Sequence, residues 1–357
     1  RIPAAALERV EAIRGVPAVR WGDLTQGAIV VDTRAAETPP ELTARFDPRT
    51  SEANLVGGHA WQDDRQAITA TFNLADTRAV QTLSGANTLR GAAQIAHRLQ
   101  LGTAPGTASA DARTPRLTLD TRLDWWQLKY DSPELPEIEI GRSSYQNDNG
   151  FRLGERARLA LAGGTLEWTA AIDIQNQLTR ETKRLGRPTQ PFTDRTTEGR
   201  NIGTFIDGLY IGSYELGGAP RLLYSRLEWE RARTSKAGPF TLSHLRAGIE
   251  LRREWNNGTG YQFAANTPPQ SNTLTGVNGY DRPRSFANIP AVATTAAYAD
   301  LRLSAQRGMM TADLQPGIRA DVLHSGSWWV SGSRSALLEP RVTARVAPTP
   351  WLRFNAG

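Results

Sequence analysis

Leu166, Trp168, Ala170, Ile172 and Ile174 alternate with Glu167, Thr169, Ala171, Asp173 and Gln175. This period of two gives an extended strand one apolar and one polar face. Ahead of it, across Gly163-Gly164, Ala157, Leu159 and Leu161 alternate with Arg156, Arg158 and Ala160, which makes the pair a hairpin. The pattern returns in Leu245, Ala247, Ile249 and Leu251 against His244, Arg246, Gly248, Glu250 and Arg252. It returns again in Ala299 to Ala305 and, across Arg307-Gly308, in Met310 to Val322. Weaker versions cover Gln66 to Leu74, Thr88 to Leu99, Arg116 to Tyr130, Arg221 to Arg233 and Ala336 to Val346. Together these make roughly a dozen strands, mostly about 9 to 11 residues or longer, and the intervals between them carry no helical period. The chain therefore reads as all-β and antiparallel.

The first residues break the pattern. Ala4, Leu7, Val10 and Ile13 recur at helical spacing, with Glu8, Arg9, Glu11 and Arg14 on the other face, so a helix is expected there, stopped by Gly15 and Pro17. Gly22, Asp23 and Gly27 form a turn that feeds Ala28 to Val31, a short apolar run suited to a buried strand.

Alternation alone does not separate a soluble sandwich from a membrane barrel. Strand length favours the barrel, since globular strands usually have about five or six residues. Trp125-Trp126, Trp229, Trp255, Trp328-Trp329 and Trp351 stand at or near expected strand ends, where an interfacial girdle belongs, although tryptophans at the ends of a soluble sheet would look the same. Connections alternate in length: tight ones at Gly163-Gly164, Lys236 to Pro239, Arg307-Gly308 and Pro348 to Pro350, long ones at Thr179 to Thr204 and Asn256 to Ala293. Short turns on one side and long loops on the other suit an outer-membrane barrel.

Composition removes several alternatives. The mean hydropathy is −0.45 and no apolar run approaches the roughly 18 to 20 residues of a membrane helix, a test that a barrel escapes. The chain has no cysteine, which excludes disulfides, thiolate metal sites and cysteine nucleophiles. The net charge is +6 with a pI near 9.9, yet 42 basic and 36 acidic residues interleave without a concentrated basic face, so nucleic acid is not an expected partner. Arg1 is followed by a charged segment with no signal-peptide apolar core.

The opening segment, with Glu8-Arg9-Val10-Glu11, Arg14-Gly15, Trp21-Gly22 and Gly27-Ala28-Ile29-Val30-Val31, resembles the end of the plug domain of TonB-dependent outer-membrane receptors. The stretch from Val16 to Ala28 is similar to the form common in the Bacteroidetes group, as are Asp131 to Pro136 and Arg282 to Phe286. The resemblance implies a transmembrane β-barrel, here in part, since about 22 strands are expected of a plugged transporter. It divides the chain into the C-terminal end of an α/β plug domain at 1–35 and the N-terminal part of the barrel at 36–357. The N-terminal box that engages the TonB energy-coupling complex, and the closing strands, are expected outside this stretch. The resemblance also implies active uptake of a scarce or bulky nutrient (siderophore, vitamin, oligosaccharide or peptide) across the Gram-negative outer membrane, with outer-membrane lipid around the barrel and in some receptors a surface lipoprotein. Glu8, Arg9, Glu11, Arg14, Gly15, Gly22 and Gly27 are its plug-motif positions, and Arg9, Glu11 and Arg14 become partners for charges on the inner wall.

No catalytic residue, metal ligand or cofactor is expected. His59, His97, His244 and His324 lack metal-ligand spacing, and no nucleophile elbow is present. Asp63-Asp64 reads as a hairpin closure and Asn257-Gly258-Thr259 as an Asn-Gly turn. Arg156, Arg158, Arg246, Arg252 and Arg302 would line the interior and favour anions, or pair with Glu250, Asp300 and their neighbours. Two other readings stay open: a passive porin or adhesin, and a soluble β-rich binding module.

Overall fold

The computed structural model describes residues 7–14, 18–22, 27–33, 35–62, 65–78, 85–102, 116–135, 137, 140–161, 163–186, 190–191, 196–197, 200–201, 205–206, 209–237, 240–264, 283–307, 309–325, 334–349 and 352–356. A short hairpin comes first, β1 (Leu7–Arg14) with β2 (Gly27–Thr33). The main strands follow: β3 (Thr38–Phe46), β4 (Thr50–Trp61), β5 (Gln66–Arg78), β6 (Asn87–Leu101), β7 (Arg116–Ser132), β8 (Ser143–Leu161) and β9 (Gly164–Gly186). Two small ladders pair β10 (Gln190–Pro191) with β13 (Phe205–Ile206) and β11 (Thr196–Thr197) with β12 (Arg200–Asn201). Then come β14 (Leu209–Gly218), β15 (Pro220–Ala237), β16 (Phe240–Asn256), β17 (Gly260–Phe263), β18 (Val292–Arg307), β19 (Met310–Ser325), β20 (Arg334–Thr349) and β21 (Leu352–Ala356). The one helical turn among the described residues is a 3-10 turn at Phe286–Asn288.

One antiparallel meander runs β3-β4-β5-β6-β7-β8-β9-β15-β16-β18-β19-β20-β21, with β14 and β17 appended beside β9. Its connections sort by end. One end carries 62–65, 162–163, 238–239, 308–309 and 350–351, plus the longer 102–115; the other carries 79–86, 133–142, 187–219, 257–291 and 326–333, plus the tight 47–49.

The two faces are inverted relative to a soluble protein. Along β5, Ala67, Thr69, Thr71, Asn73 and Ala75 are buried, while Ile68, Phe72 and Leu74 are exposed. On β9, Glu167 and Asp173 are buried, and Trp168, Ile172 and Ile174 are about 40% exposed. The same holds for buried Arg226 and Glu228 beside exposed Leu227, and for buried Arg319 beside exposed Ile318. In water this arrangement would expose a large apolar surface. Against lipid it is the stable one, because only the alternate outward residues meet the hydrocarbon.

The strands expected from the alternation are present, with corrections at three places. Residues 7–14 are not a helix: they form β1, in register with β2 through Arg9↔Asp32, Val10↔Val31 and Glu11↔Val30. Val10, Ile13, Ile29, Val30 and Val31 are β-branched, and pairing with β2 overrides a helical spacing that carried no capping signal. Gly15 and Pro17 lie outside the described residues. The segment expected to loop out from Thr179 continues as β9, whose 177–186 half pairs with β14 while its 165–174 half pairs with β15. Its run from Thr179 to Arg184 is entirely polar and leaves a hydrophobic period nothing to detect. β3 and β4 extend the sheet beyond the strands read from the sequence. Pro39 and Pro40 obscure β3, and they are tolerated because β3 is an edge strand whose register shifts between Thr38 and Glu41.

Of the tryptophans, Trp255 ends β16, whereas Trp125 and Trp126 lie mid-strand in β7, seated on neighbouring glycines. A Cβ on Gly150, directly across from Trp126, would come within 2.5 Å of the Trp126 ring, and one on Gly91 within 3.2 Å of Trp125. Trp328, Trp329 and Trp351 lie outside the described residues.

Candidate functional site

Glu8, Val19, Arg20, Trp21 and Asp32 touch the inner face of β6, β8, β9, β15, β19 and β20. Strands so far apart in the sheet order meet one short segment only because the sheet curves around it. The centre of this contact is the turn Val19-Arg20-Trp21-Gly22.

Register makes its seat. The inward positions Glu230, Arg246, Asp300, Gly317 and Arg341 stand opposite one another across β15, β16, β18, β19 and β20. The next row holds Glu167, Glu228, Gly248, Tyr298, Arg319 and Glu339. Each row contains one glycine, and each glycine is occupied. A Cβ on Gly248 would lie 2.5 Å from the Tyr298 ring, so Tyr298 lies over it and donates its hydroxyl to Glu228 Oε2 at 2.6 Å. A Cβ on Gly317 would lie 2.7 Å from Val19 Cγ1, so the turn's apolar tip, 1% exposed, fills that gap.

Polar contacts surround the tip. Arg319 donates to the Val19 carbonyl at 3.4 Å, and Arg341 to the Trp21 carbonyl at 2.7 Å. The two carbonyls are thus satisfied by wall guanidiniums, themselves held by Glu250 and Asp321 for Arg319 and by Glu339 for Arg341. Arg20 reaches Glu228 at 3.4 Å and Glu167 at 4.0 Å, and its guanidinium lies 5.1 Å from the Trp21 ring centre, with Arg226 at 5.8 Å from the same ring. Burial first, then the neighbouring Arg226 and Arg246, holds the Arg20 guanidinium below its ordinary value, with Glu228 and Glu167 opposing.

The motif residues divide between wall and hairpin. Glu8 meets Arg98 of β6 at 3.1 Å. Arg9 pairs within the hairpin, with Asp32 at 3.1 Å and Glu11 at 3.5 Å, and it is Asp32 that reaches the wall at Arg156, 3.8 Å away. The ion pairs to the wall are made by Glu8, beside the register shift between Leu7 and Arg9, and by Asp32, whereas Arg9, directly across from Asp32 and on its face, holds that carboxylate and lines the same cavities. Gly22 packs against the Arg319 guanidinium, 2.8 Å from where a Cβ would be. Arg14 and Gly27 contribute backbone to the ladder, and their side-chain positions, like Gly15, lie outside the described residues. Val19, Arg20 and Trp21, which make most of the contact, stood in the motif without an assigned role. An apolar-cation-aromatic tip between small residues was their only signal.

The inner arginines are extensively paired. Arg246 faces Glu228, Glu230 and Asp300; Arg302 faces Asp313; Arg252 faces Glu254; Arg156 and Arg158 share Glu167. Between the 18–32 segment and the wall lie two cavities of about 830 and 660 Å³, with Arg9, Asp32, Arg156 and Thr169 lining both. Among the described residues, no group of three or more His, Cys, Asp or Glu side chains could hold a metal ion, and no helix is long and apolar enough to cross a membrane.

No family model and no curated protein matches the sequence. Solved structures do. A double mutant of the ferric enterobactin receptor PfeA from Pseudomonas aeruginosa matches with a TM-score of 0.50 at 13% identity, over 99% of this chain and 48% of the receptor. The chain thus spans about half the length of that receptor and shares its fold. The siderophore receptor PirA from Acinetobacter baumannii also matches, at 10% identity over 97% of this chain and 65% of that one, but its TM-score of 0.32 is too low to bear on the fold.

Proposed function

We propose that this chain belongs to a TonB-dependent outer-membrane receptor that takes up a scarce or bulky nutrient, with residues 1–35 ending the plug and 36–357 forming part of the barrel. The inverted sheet carries this reading: the strands bury Thr69, Asn73, Glu167, Asp173 and Arg319 and expose Ile68, Phe72, Ile172 and Ile318. A soluble binding module would need the opposite arrangement. The segment inside the sheet favours a plugged transporter over a porin, since a porin leaves an aqueous channel. The 238–239 and 308–309 turns would face the periplasm and the 187–219 and 257–291 connections the outside.

In this reading the turn and hairpin hold the channel shut. Tight capture of a ligand cannot itself drive transport, so release requires work delivered through the TonB complex, by way of a box upstream of this segment. The ferric enterobactin receptor that shares the fold makes an iron chelate one ligand class to test, alongside vitamins, oligosaccharides and peptides. The chemistry invoked is binding and movement, without an enzymatic step, and the Bacteroidetes-type motif makes a surface lipoprotein a partner to seek.

Conductance of the full-length protein in planar bilayers tests the blocked state. The wild type is expected to stay closed. The double variant Glu8→Gln, Arg20→Gln, which removes the hairpin's ion pair with Arg98 and the turn's two with Glu167 and Glu228, is expected to show openings. A constitutively open wild-type pore would instead establish the passive reading.

A further inference from the structure

The larger cavity has a feature that the blocking role does not explain. Arg156, Thr169 and Arg226 stand directly opposite one another on β8, β9 and β15, forming one inward row, and Arg20 arrives above them from the turn. Arg20, Arg156 and Arg226 all converge on Glu167, at 4.0, 2.9 and 3.8 Å, and Arg158 joins them at 3.0 Å. Glu228 and Asp32 take one further contact each, from Arg20 and Arg156. Four guanidiniums on one shared carboxylate leave donor capacity unspent. The buried Nε atoms of Arg20, Arg156 and Arg226 and the Thr169 hydroxyl have no hydrogen-bond partner, and Arg226 is only 7% exposed. Buried donors in folded proteins almost always find partners, in ordered water or in a ligand when not in the protein. Converging guanidinium forks match the oxygens of carboxylates and phosphates.

We infer that the cavity between the 18–22 turn and the β8, β9 and β15 wall is a binding site for an oxyanion, a solute bearing carboxylate or phosphate groups. The transport reading gives the site a purpose, as a station inside the barrel for an anionic solute, but binding itself does not need transport. The site is narrower than the basic lining expected from the sequence: Arg252 sits against Glu254 away from the cavity, and Arg302, which also lines the cavity, is paired with Asp313.

Titration calorimetry of the full-length protein in detergent tests this directly, with inorganic phosphate and citrate as separate probes and maltose as an uncharged control. At least one anion should bind at one site, with maltose silent, and the stronger of the two identifies the class. Arg226→Gln and Thr169→Val should each weaken binding, the arginine change by about tenfold or more, the loss of a charge-assisted hydrogen bond. Arg252→Gln should leave it unchanged. The gel mobility difference between boiled and unboiled samples verifies that each variant is folded. Absence of anion binding, or equal binding in folded Arg226→Gln and Thr169→Val, overturns the site. Binding that survives in a protein with an open conductance keeps the site and rejects the transport reading, so the two fail separately.

Discussion

At the residue scale, small changes on the inner wall decide whether the turn can seat. Gly317 is the clearest case, because its missing Cβ is the space that Val19 occupies. Gly317→Leu is expected to cost about 1–3 kcal/mol as overpacking of a filled site. It should also raise the reactivity of a cysteine placed at Trp21, where an unchanged labelling rate would show that the contact is incidental. Asp47, outside the spanning part of the strands, makes a pH prediction. Backbone N–H groups of Arg49 and Thr50 donate to its carboxylate at 2.9 and 2.7 Å, and with lesser help from Arg45 and Arg49 they hold its pKa below the usual carboxylate value. A depressed folded-state pKa gives stability that is present above the unfolded value and lost as pH falls through the folded one. Protection of the Thr50 amide, corrected for intrinsic exchange, should therefore fall on acidification through and below the ordinary aspartate range. In Asp47→Asn that pH step should vanish; a step of equal size in the variant would assign it to another group.

At the element scale, period-two hydrophobicity revealed the strands where one face is apolar, as in β9 from Leu166 to Ile174. It failed where both faces are polar, as at 179–184 in β9, and where prolines interrupt, as in β3. The opening hairpin misled for a related reason. Enclosed by wall and solvent, it needs no clean apolar face, so Leu7, Val10 and Ile13 fitted a helical period by coincidence. The candidate site was legible only in part: Glu8 and Gly22 appear in the motif, but the seat made by Gly248, Tyr298 and Gly317 depends on register between distant strands. Faces can be tested by substitution. Ile172→Lys, on the exposed face, is expected to lower stability in bilayers by about 2–4 kcal/mol if it lies near the midplane. Denaturant titration of folded protein in liposomes reads that loss, and a change within 0.5 kcal/mol, the ordinary effect of a solvated surface site, would deny the lipid contact.

At the scale of the whole molecule, the sequence called for a barrel by strand length and loop asymmetry, and the sheet adds what those could not: which face is buried. That choice is global, because a strand with one apolar face serves equally in a sandwich. Only the sum of strands curved around residues 8–32 puts Glu167, Glu228 and Arg319 inside and Ile172, Leu227 and Ile318 outside.

These 357 residues contain no cysteine, so single labels can be placed along β9 to measure the central claim without competition from the stretch's own side chains. Single cysteines at each position from Trp168 to Gln175, carrying nitroxide labels in full-length protein reconstituted into liposomes, can be probed with lipid-soluble oxygen and a water-soluble nickel chelate. Labels at 168, 170, 172 and 174 should be reached mainly by oxygen from the bilayer, and those at 169, 171, 173 and 175 should not. Equal access of the nickel chelate to both sets, or the same two-residue alternation with the even positions facing water, would contradict a lipid-facing apolar surface around a polar interior.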